Sequence, residues 1–425
     1  MECLDAKTLS RKSKRINNDN KSYIYTVNQK FNFIITANKL YLPRFAEPEI
    51  LRLISTNPAI VVVGPRQVGK TALVKHLAAQ VPGQVVYFDL ENPDDYNKLN
   101  NPSLLFNPLK DHTVILDEVQ RVPTLFPILR SLIDQHRQPG RFILLGSASP
   151  ELIRDTSESL AGRVAYFELQ PFSIRELPVE IDYRQHWLRG GFPDSLLAGD
   201  DVQSLEWREN FIRSYLERDL PLLGLRADPM LIRRLWSMIA HLNGQLLNLA
   251  TLSKSLDISS PTVRRYINFL ESAFLIRQLQ PWFANTRKRL VKTPKIYLRD
   301  TGLLHALLRI ENNLQLQGHP AVGASWEAYI VQEIASRLPA RADLFFYRTH
   351  DGTEADLVIT RSGVPHVLLE IKYSTAPKPG KGFFIAKKDL ATTRNFIICP
   401  TPNSYPLAED VDVLSYLELD KIFDA

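Results

Sequence analysis

Gly64-Pro65-Arg66-Gln67-Val68-Gly69-Lys70-Thr71 fits the spacing G-x-x-x-x-G-K-[ST]. It stands between an apolar strand, Ala59–Val63, and an amphipathic helix running from Lys70 to about Gln80. A chance glycine-rich turn lacks those two flanks. The glycines let backbone N–H groups turn inward around phosphates, and the helix N-terminus adds its dipole. The spacing aims Lys70 at β- and γ-phosphates and Thr71 at a Mg²⁺ ion, so the expected cofactors are ATP and Mg²⁺. Outward from the loop, Val85–Leu90, Thr113–Leu116 and Arg141–Leu145 read as strands, and Pro48–Thr56 and Val122–His136 as helices. Strands alternating with helices predict a parallel sheet covered on both faces, closing near Pro178.

Val114-Ile115-Leu116-Asp117-Glu118 is an apolar strand ending in two carboxylates. Beside the Lys70 loop, Asp117 is placed to bind Mg²⁺ and Glu118 to polarise the attacking water. Alone, such a strand end is ordinary. Phe142–Ser147 ends in a hydroxyl, and Ser147 is a candidate hydrogen-bond donor to the γ-phosphate or partner of the water; it also fits a plain turn. Arg163, in Ser159-Leu160-Ala161-Gly162-Arg163, is either a cation for the transition state, in cis or from a neighbouring subunit, or a surface arginine.

These runs, with Gly146–Ser149, resemble the prokaryotic AAA-type ATPases that carry a DUF4143 C-terminal region. Tyr215–Leu220, Tyr297–Leu304 and Trp326-Glu327-Ala328-Tyr329-Ile330 are also similar to that region. The resemblance covers the chain from Tyr41 to about Pro400 and leaves residues 1–38 outside. It implies a P-loop parallel-sheet ATPase domain over 41–178. A helical region follows over 179–320, with a winged helix-turn-helix at about 230–285. A mixed α/β nuclease-like domain covers 321–425.

Within 180–320 the strand signals fade and helices dominate. Leu249–Leu256 and Pro261–Glu271 read as two helices, the second opened by Ser259, Ser260 and Pro261, and Phe274–Leu279 is a candidate wing strand. Thr262, Arg264, Arg265 and Asn268 then fall on one side of the second helix and are candidates to contact a DNA groove. Such units also serve as connectors or dimer contacts.

Further on, a helix over Ala324–Arg337 and strands near Leu344–Arg348, Asp356–Thr360, His366–Lys372 and Asn395–Cys399 are expected. Residues two apart on a strand share a face, so Glu370 and Lys372 project together, and the short turn after Asp356–Thr360 brings Asp356 toward Glu370. This order resembles the PD-(D/E)xK nuclease fold. Asp356, Glu370 and Lys372 stand in its motif positions and Glu327 on its first helix, which implies a second metal site with Lys372 as a catalytic cation. Glu-x-Lys on a strand is also a plain ion pair, and such folds persist as binding modules.

Composition sets the outer bounds. The chain has 425 residues, 44% hydrophobic and 23% charged, which excludes a largely disordered or fibrous protein. Its length suits two or three domains at roughly 150 residues each. Two cysteines, Cys3 and Cys399, make no disulfide framework. No apolar run approaches the ~18 residues of a membrane span, and no secretory signal is evident, so a soluble cytoplasmic protein is expected. The net charge of +6 is concentrated in residues 1–40, where eight basic residues face Glu2, Asp5 and Asp19. That Asn/Ser-rich stretch reads as a flexible tail or a nucleic-acid arm. Three functions stay open: an ATPase coupled to a DNA-binding nuclease, an ATP-gated DNA-binding or regulatory switch with an inactive nuclease fold, and a protein-remodelling ATPase. DNA and a second copy of the chain are the candidate partners beside ATP.

Overall fold

The computed structural model describes residues 23–27, 31–36, 39–147, 158–283 and 290–424, with side chains from residue 41 onward. Tyr23–Val27 (β1), Phe31–Thr36 (β2) and Lys39–Tyr41 (β3) form an antiparallel sheet in which Tyr25 and Phe33 are register partners along the backbone. These strands lie within the expected tail over residues 1–40. The runs Tyr-Ile-Tyr-Thr-Val and Phe-Asn-Phe-Ile-Ile-Thr are rich in aromatic and β-branched residues, and pairing them supplies the backbone partners that a solvated tail lacks. Residues 1–22 of the expected tail lie outside the described residues.

Glu47–Thr56 (α1) carries Pro48 in its first turn and buries Ile50 and Ile54. Ala59–Gly64 (β4), Lys70–Ala78 (α2), Val85–Asp89 (β5), Thr113–Asp117 (β6), Leu125–Gln135 (α3), Phe142–Ser147 (β7) and Val164–Glu168 (β8) follow. Helix α3 starts later than the expected Val122 because Val119–Arg121 forms a 3₁₀ turn and Pro123 follows it. The five strands are parallel in the order β5-β6-β7-β4-β8. Alternate residues of β4, β6 and β7 pack on opposite faces. Val61, Leu116 and Leu144 join Phe126, Leu129 and Ile133 of α3, while Val62, Ile115 and Ile143 join α1 and α2. Strand β7 therefore separates the loop-bearing strand from the carboxylate strand.

Past residue 180, Pro229–His241 (α4), Gln245–Leu246 (β9), Leu249–Leu256 (α5), Ser260–Ser272 (α6), Ile276–Leu279 (β10) and Lys295–Leu298 (β11) succeed one another. The strands form an antiparallel sheet in the order β10-β11-β9. Strand β10 falls within the expected wing strand Phe274–Leu279, while β9 and β11 had no strand reading: at two and four residues they are too short for an alternating pattern to register. Asp228, Asn248 and Ser259 cap the three helices by accepting backbone N–H bonds.

The last unit opens with Val322–Ala335 (α7). Ala342–Arg348 (β12), Glu354–Arg361 (β13), Val364–Ile371 (β14), Arg394–Cys399 (β15), Tyr405–Ala408 (β16) and Val411–Ser415 (β17) then form one mixed sheet in the order β12-β13-β14-β15-β17-β16. One continuous core runs from Tyr183 to Ile422 and includes the fully buried Trp187, Trp236 and Trp326. The helical region and the mixed sheet thus share an interior.

Candidate nucleotide site and carboxylate cluster

Strand β4 delivers the phosphate loop at its C-terminal end. Gly64 has φ +153°, and a Cβ there would stand 2.3 Å from the Leu169 carbonyl oxygen. Gly69, at φ +99°, turns the chain into α2. Among the loop residues between them, Gln67 also takes a left-handed φ of 63° without being glycine, a conformation held by its surroundings. The Lys70 ammonium is buried and donates to the carbonyl oxygens of Gly64 at 3.1 Å and Pro65 at 3.0 Å. Burial pulls its pKa down to about 8, against the opposing pull of Glu118 and Asp117.

Parallel pairing sets β6 so that its carboxylates meet the loop. Thr71 Oγ1 donates to Asp117 Oδ2 at 2.6 Å, and the Tyr87 hydroxyl donates to the same oxygen at 2.8 Å. The Glu118 N–H donates to Asp117 Oδ1 at 3.0 Å. Glu118 itself has φ 56°, accepts from the Gln120 amide and is pushed up by burial, with Lys70 opposing. Ser147 pairs in register with Gly64 across β4–β7, and its buried Oγ has no hydrogen-bond partner. A hydroxyl and a carboxylate 2.6 Å apart suit a hard divalent cation, and an orphaned buried hydroxyl level with the loop suits a phosphate oxygen.

Arg66 turns away from this centre. Its guanidinium pairs with the buried Asp219 and lies 3.5 Å from Glu91, which Arg121 also holds at 3.0 Å. Arg163 is placed differently from the in-cis reading, which is corrected. Its carbonyl accepts the Ala59 N–H at the start of β4, so it lies about 16 Å of strand away from the loop. Its guanidinium forks onto Asp134 at 2.6 and 2.9 Å. Of the resembling run Gly146–Ser149, Ala148 and Ser149 lie outside the described residues.

The C-terminal sheet draws the other four candidates into one ionic cluster. Leu357 pairs with Leu369 across β13–β14, which makes Asp356 and Glu370 neighbours. Lys372 Nζ lies 2.8 Å from Glu370 Oε1, and the Ile371 N–H donates to Asp356 Oδ2 at 2.8 Å. Burial and Glu327 raise Asp356 to about 6, and burial also raises Glu370. Sequence reasoning missed three members: Lys295 and Tyr297 of β11, and Glu354 of β13. Lys295 Nζ stands 3.1 Å from Glu327 Oε1, 2.7 Å from Glu354 Oε1 and 3.8 Å from Asp356 Oδ1. Their i, i+2 spacings carry the same signal as Glu370 and Lys372, but the two strands belong to different sheets. Tyr87 and Asp219 had no signal of their own.

A buried parallel sheet with a phosphate loop on one strand and a paired Asp-Glu two strands away defines an AAA-type P-loop ATPase domain. Residues 56–178 match the family described as "AAA domain", and residues 322–419 match "Domain of unknown function (DUF4143)". Residues 180–314 match a separate "Domain of unknown function (DUF8612)". Tyr215–Leu220 and Tyr297–Leu304 therefore fall in that middle family rather than in DUF4143. Uncharacterized proteins of Mycobacterium tuberculosis and Mycobacterium bovis are each 42% identical over 368 residues, 87% of this chain and 82% of theirs. The chain belongs to the family of these proteins, AAA-domain ATPases with a DUF4143 C-terminal region. A Walker-type ATPase of Pyrococcus abyssi is similar at 18% identity and TM-score 0.46, covering 63% of this chain and 96% of that one. Among the described residues no helix is long and apolar enough to cross a membrane.

Proposed function

We propose that this protein is a cytoplasmic ATP-driven switch that hydrolyses MgATP at Gly64–Thr71 and passes its nucleotide state to a DNA-contacting helical region. The observation that carries the reading is the Thr71–Asp117 hydrogen bond beside the buried Lys70. In this reading Lys70 leaves its two carbonyl partners to neutralise charge on the β- and γ-phosphates. Thr71 Oγ1 and an Asp117 oxygen would hold Mg²⁺, which would supply charge neutralisation at the phosphates. Ser147 Oγ donates to a γ-phosphate oxygen, and ionised Glu118 accepts a proton from the attacking water or orients it. Arg163 serves only a neighbouring subunit, if the chain assembles.

Two contacts support the coupling. Arg66 of the loop pairs with Asp219 in the helical region, and Glu333 of α7 accepts from Ser173 Oγ at 2.8 Å and from the Ile174 N–H at 3.1 Å, just beyond β8. The DNA contact is supported by the order helix, strand, two helices and two strands from α4 to β11, the order of a winged helix. Arg264, Arg265 and Asn268 are exposed on α6. Purified protein should release phosphate from ATP with Mg²⁺ and bind duplex DNA with an affinity that nucleotide changes. Hydrolysis without DNA binding would favour the protein-remodelling reading instead.

Metal-dependent cleavage of DNA is the second reading, favoured by the adjacency of Asp356, Glu370 and Lys372. It requires nicking with Mg²⁺ or Mn²⁺ that Asp356→Ala and Lys372→Ala each abolish while hydrolysis of ATP persists.

A further inference from the structure

The carboxylates that a nuclease would offer to a metal already surround a cation of the chain itself. Lys295 enters from β11, a strand of the other sheet, and only 3% of its side chain is exposed. Its ammonium lies 2.7–3.8 Å from Glu354, Glu327 and Asp356. Tyr297, two residues on and so on the same face, donates its hydroxyl to Glu327 Oε1 at 2.5 Å. Three further oxygens are also engaged: Asp356 Oδ2 by the Ile371 N–H, Glu354 Oε2 by Arg348 at 2.8 Å, and Glu370 Oε1 by Lys372 at 2.8 Å. A divalent ion needs several free oxygens at about 2.0–2.6 Å from one point. Among the described residues no three Asp, Glu, His or Cys side chains form such a group. The implied metal therefore does not fit the residues as they stand.

We propose that Lys295 is the resident cation of this cluster, taking the place of a divalent metal. The cluster then ties the β9–β11 sheet to the C-terminal sheet and does not cut phosphodiesters. A buried charge among carboxylates costs too much to remove on one side alone, so the tie is firm only while Lys295 is present.

The test is a Mn²⁺ titration of the full chain without nucleotide, followed by electron paramagnetic resonance, on wild type, Asp356→Asn and Lys295→Ala. Any uptake at the phosphate loop is common to all three. The proposal expects wild type and Asp356→Asn to bind Mn²⁺ alike. It expects Lys295→Ala to melt at a lower temperature, to gain one Mn²⁺ per chain and to regain thermal stability as that ion binds. A wild-type Mn²⁺ site that Asp356→Asn loses would overturn it, as would a folded Lys295→Ala that gains none. If Lys295→Ala does not fold, the comparison of wild type with Asp356→Asn decides the question by itself.

Discussion

Asp117 and Glu118 are neighbours in the chain with opposite surroundings. Asp117 is fixed by three donors, Thr71, Tyr87 and the Glu118 N–H, whereas Glu118 is half-buried, sits in left-handed backbone and touches the Gln120 amide. The first environment holds a carboxylate in place as a ligand, the second suits a carboxylate facing a reacting water. Glu118→Gln keeps the shape and removes the charge, so phosphate release should fall by roughly 10²-fold or more while filter-retained ATP persists. Asp117→Asn should instead raise the Mg²⁺ concentration needed for half-maximal turnover. Normal hydrolysis in both variants would remove β6 from the site. These residues were legible because loop and strand end each carry a local pattern. Tyr87 was not, because its role depends on β5 lying beside β6, and pairing order is not written in one strand.

At the scale of elements, long periodic segments were readable and short ones were not. The α6 helix announced itself through Ser259, Ser260 and Pro261, and β13–β14 through two apolar strands around one short turn. Strand β8, Val164-Ala165-Tyr166-Phe167-Glu168, has only four apolar residues in a row, a run too short to decide its type, although it completes the nucleotide sheet beside β4. The Lys295 cluster was half legible: the hairpin placed Asp356, Glu370 and Lys372, but the cation among the acids comes from another sheet. The exposed face of α6 makes its own prediction. Arg264→Glu with Arg265→Glu reverses charge at two solvent positions without touching the core. Duplex binding by fluorescence anisotropy should weaken about tenfold or more, with ATP hydrolysis unchanged. Unchanged binding would take α6 out of any groove.

Across the whole molecule, the helical region and the C-terminal sheet share one core, while the nucleotide sheet has its own and joins them through polar contacts such as Ser173–Glu333 and Arg66–Asp219 and through apolar ones, with Phe274 packed against the nucleotide core and Leu196 clustered with Leu42, Phe172 and Leu177. At the centre of the shared core Trp187 donates to Ser325 Oγ at 2.9 Å. His305 lies between that hydroxyl at 2.7 Å and the Leu188 carbonyl at 3.0 Å. Burial lowers His305 to about 3, against 6.5 for a free imidazole. The unfolded chain therefore takes up a proton first as pH falls. Stability from this residue is complete above about 6.5 and declines toward about 3, by up to about 1.4 kcal/mol per pH unit. Urea unfolding from pH 7 to pH 4 should show a shallower acid slope in His305→Gln than in wild type; equal slopes would contradict a neutral buried imidazole. The central claim, that Gly64–Thr71 is a working ATPase centre, rests on Lys70. Its most direct measurement is steady-state phosphate release from MgATP by wild type and Lys70→Ala, with circular dichroism confirming the fold of both. The account predicts turnover in wild type and its loss in a folded Lys70→Ala protein; wild-type turnover in that variant would contradict it.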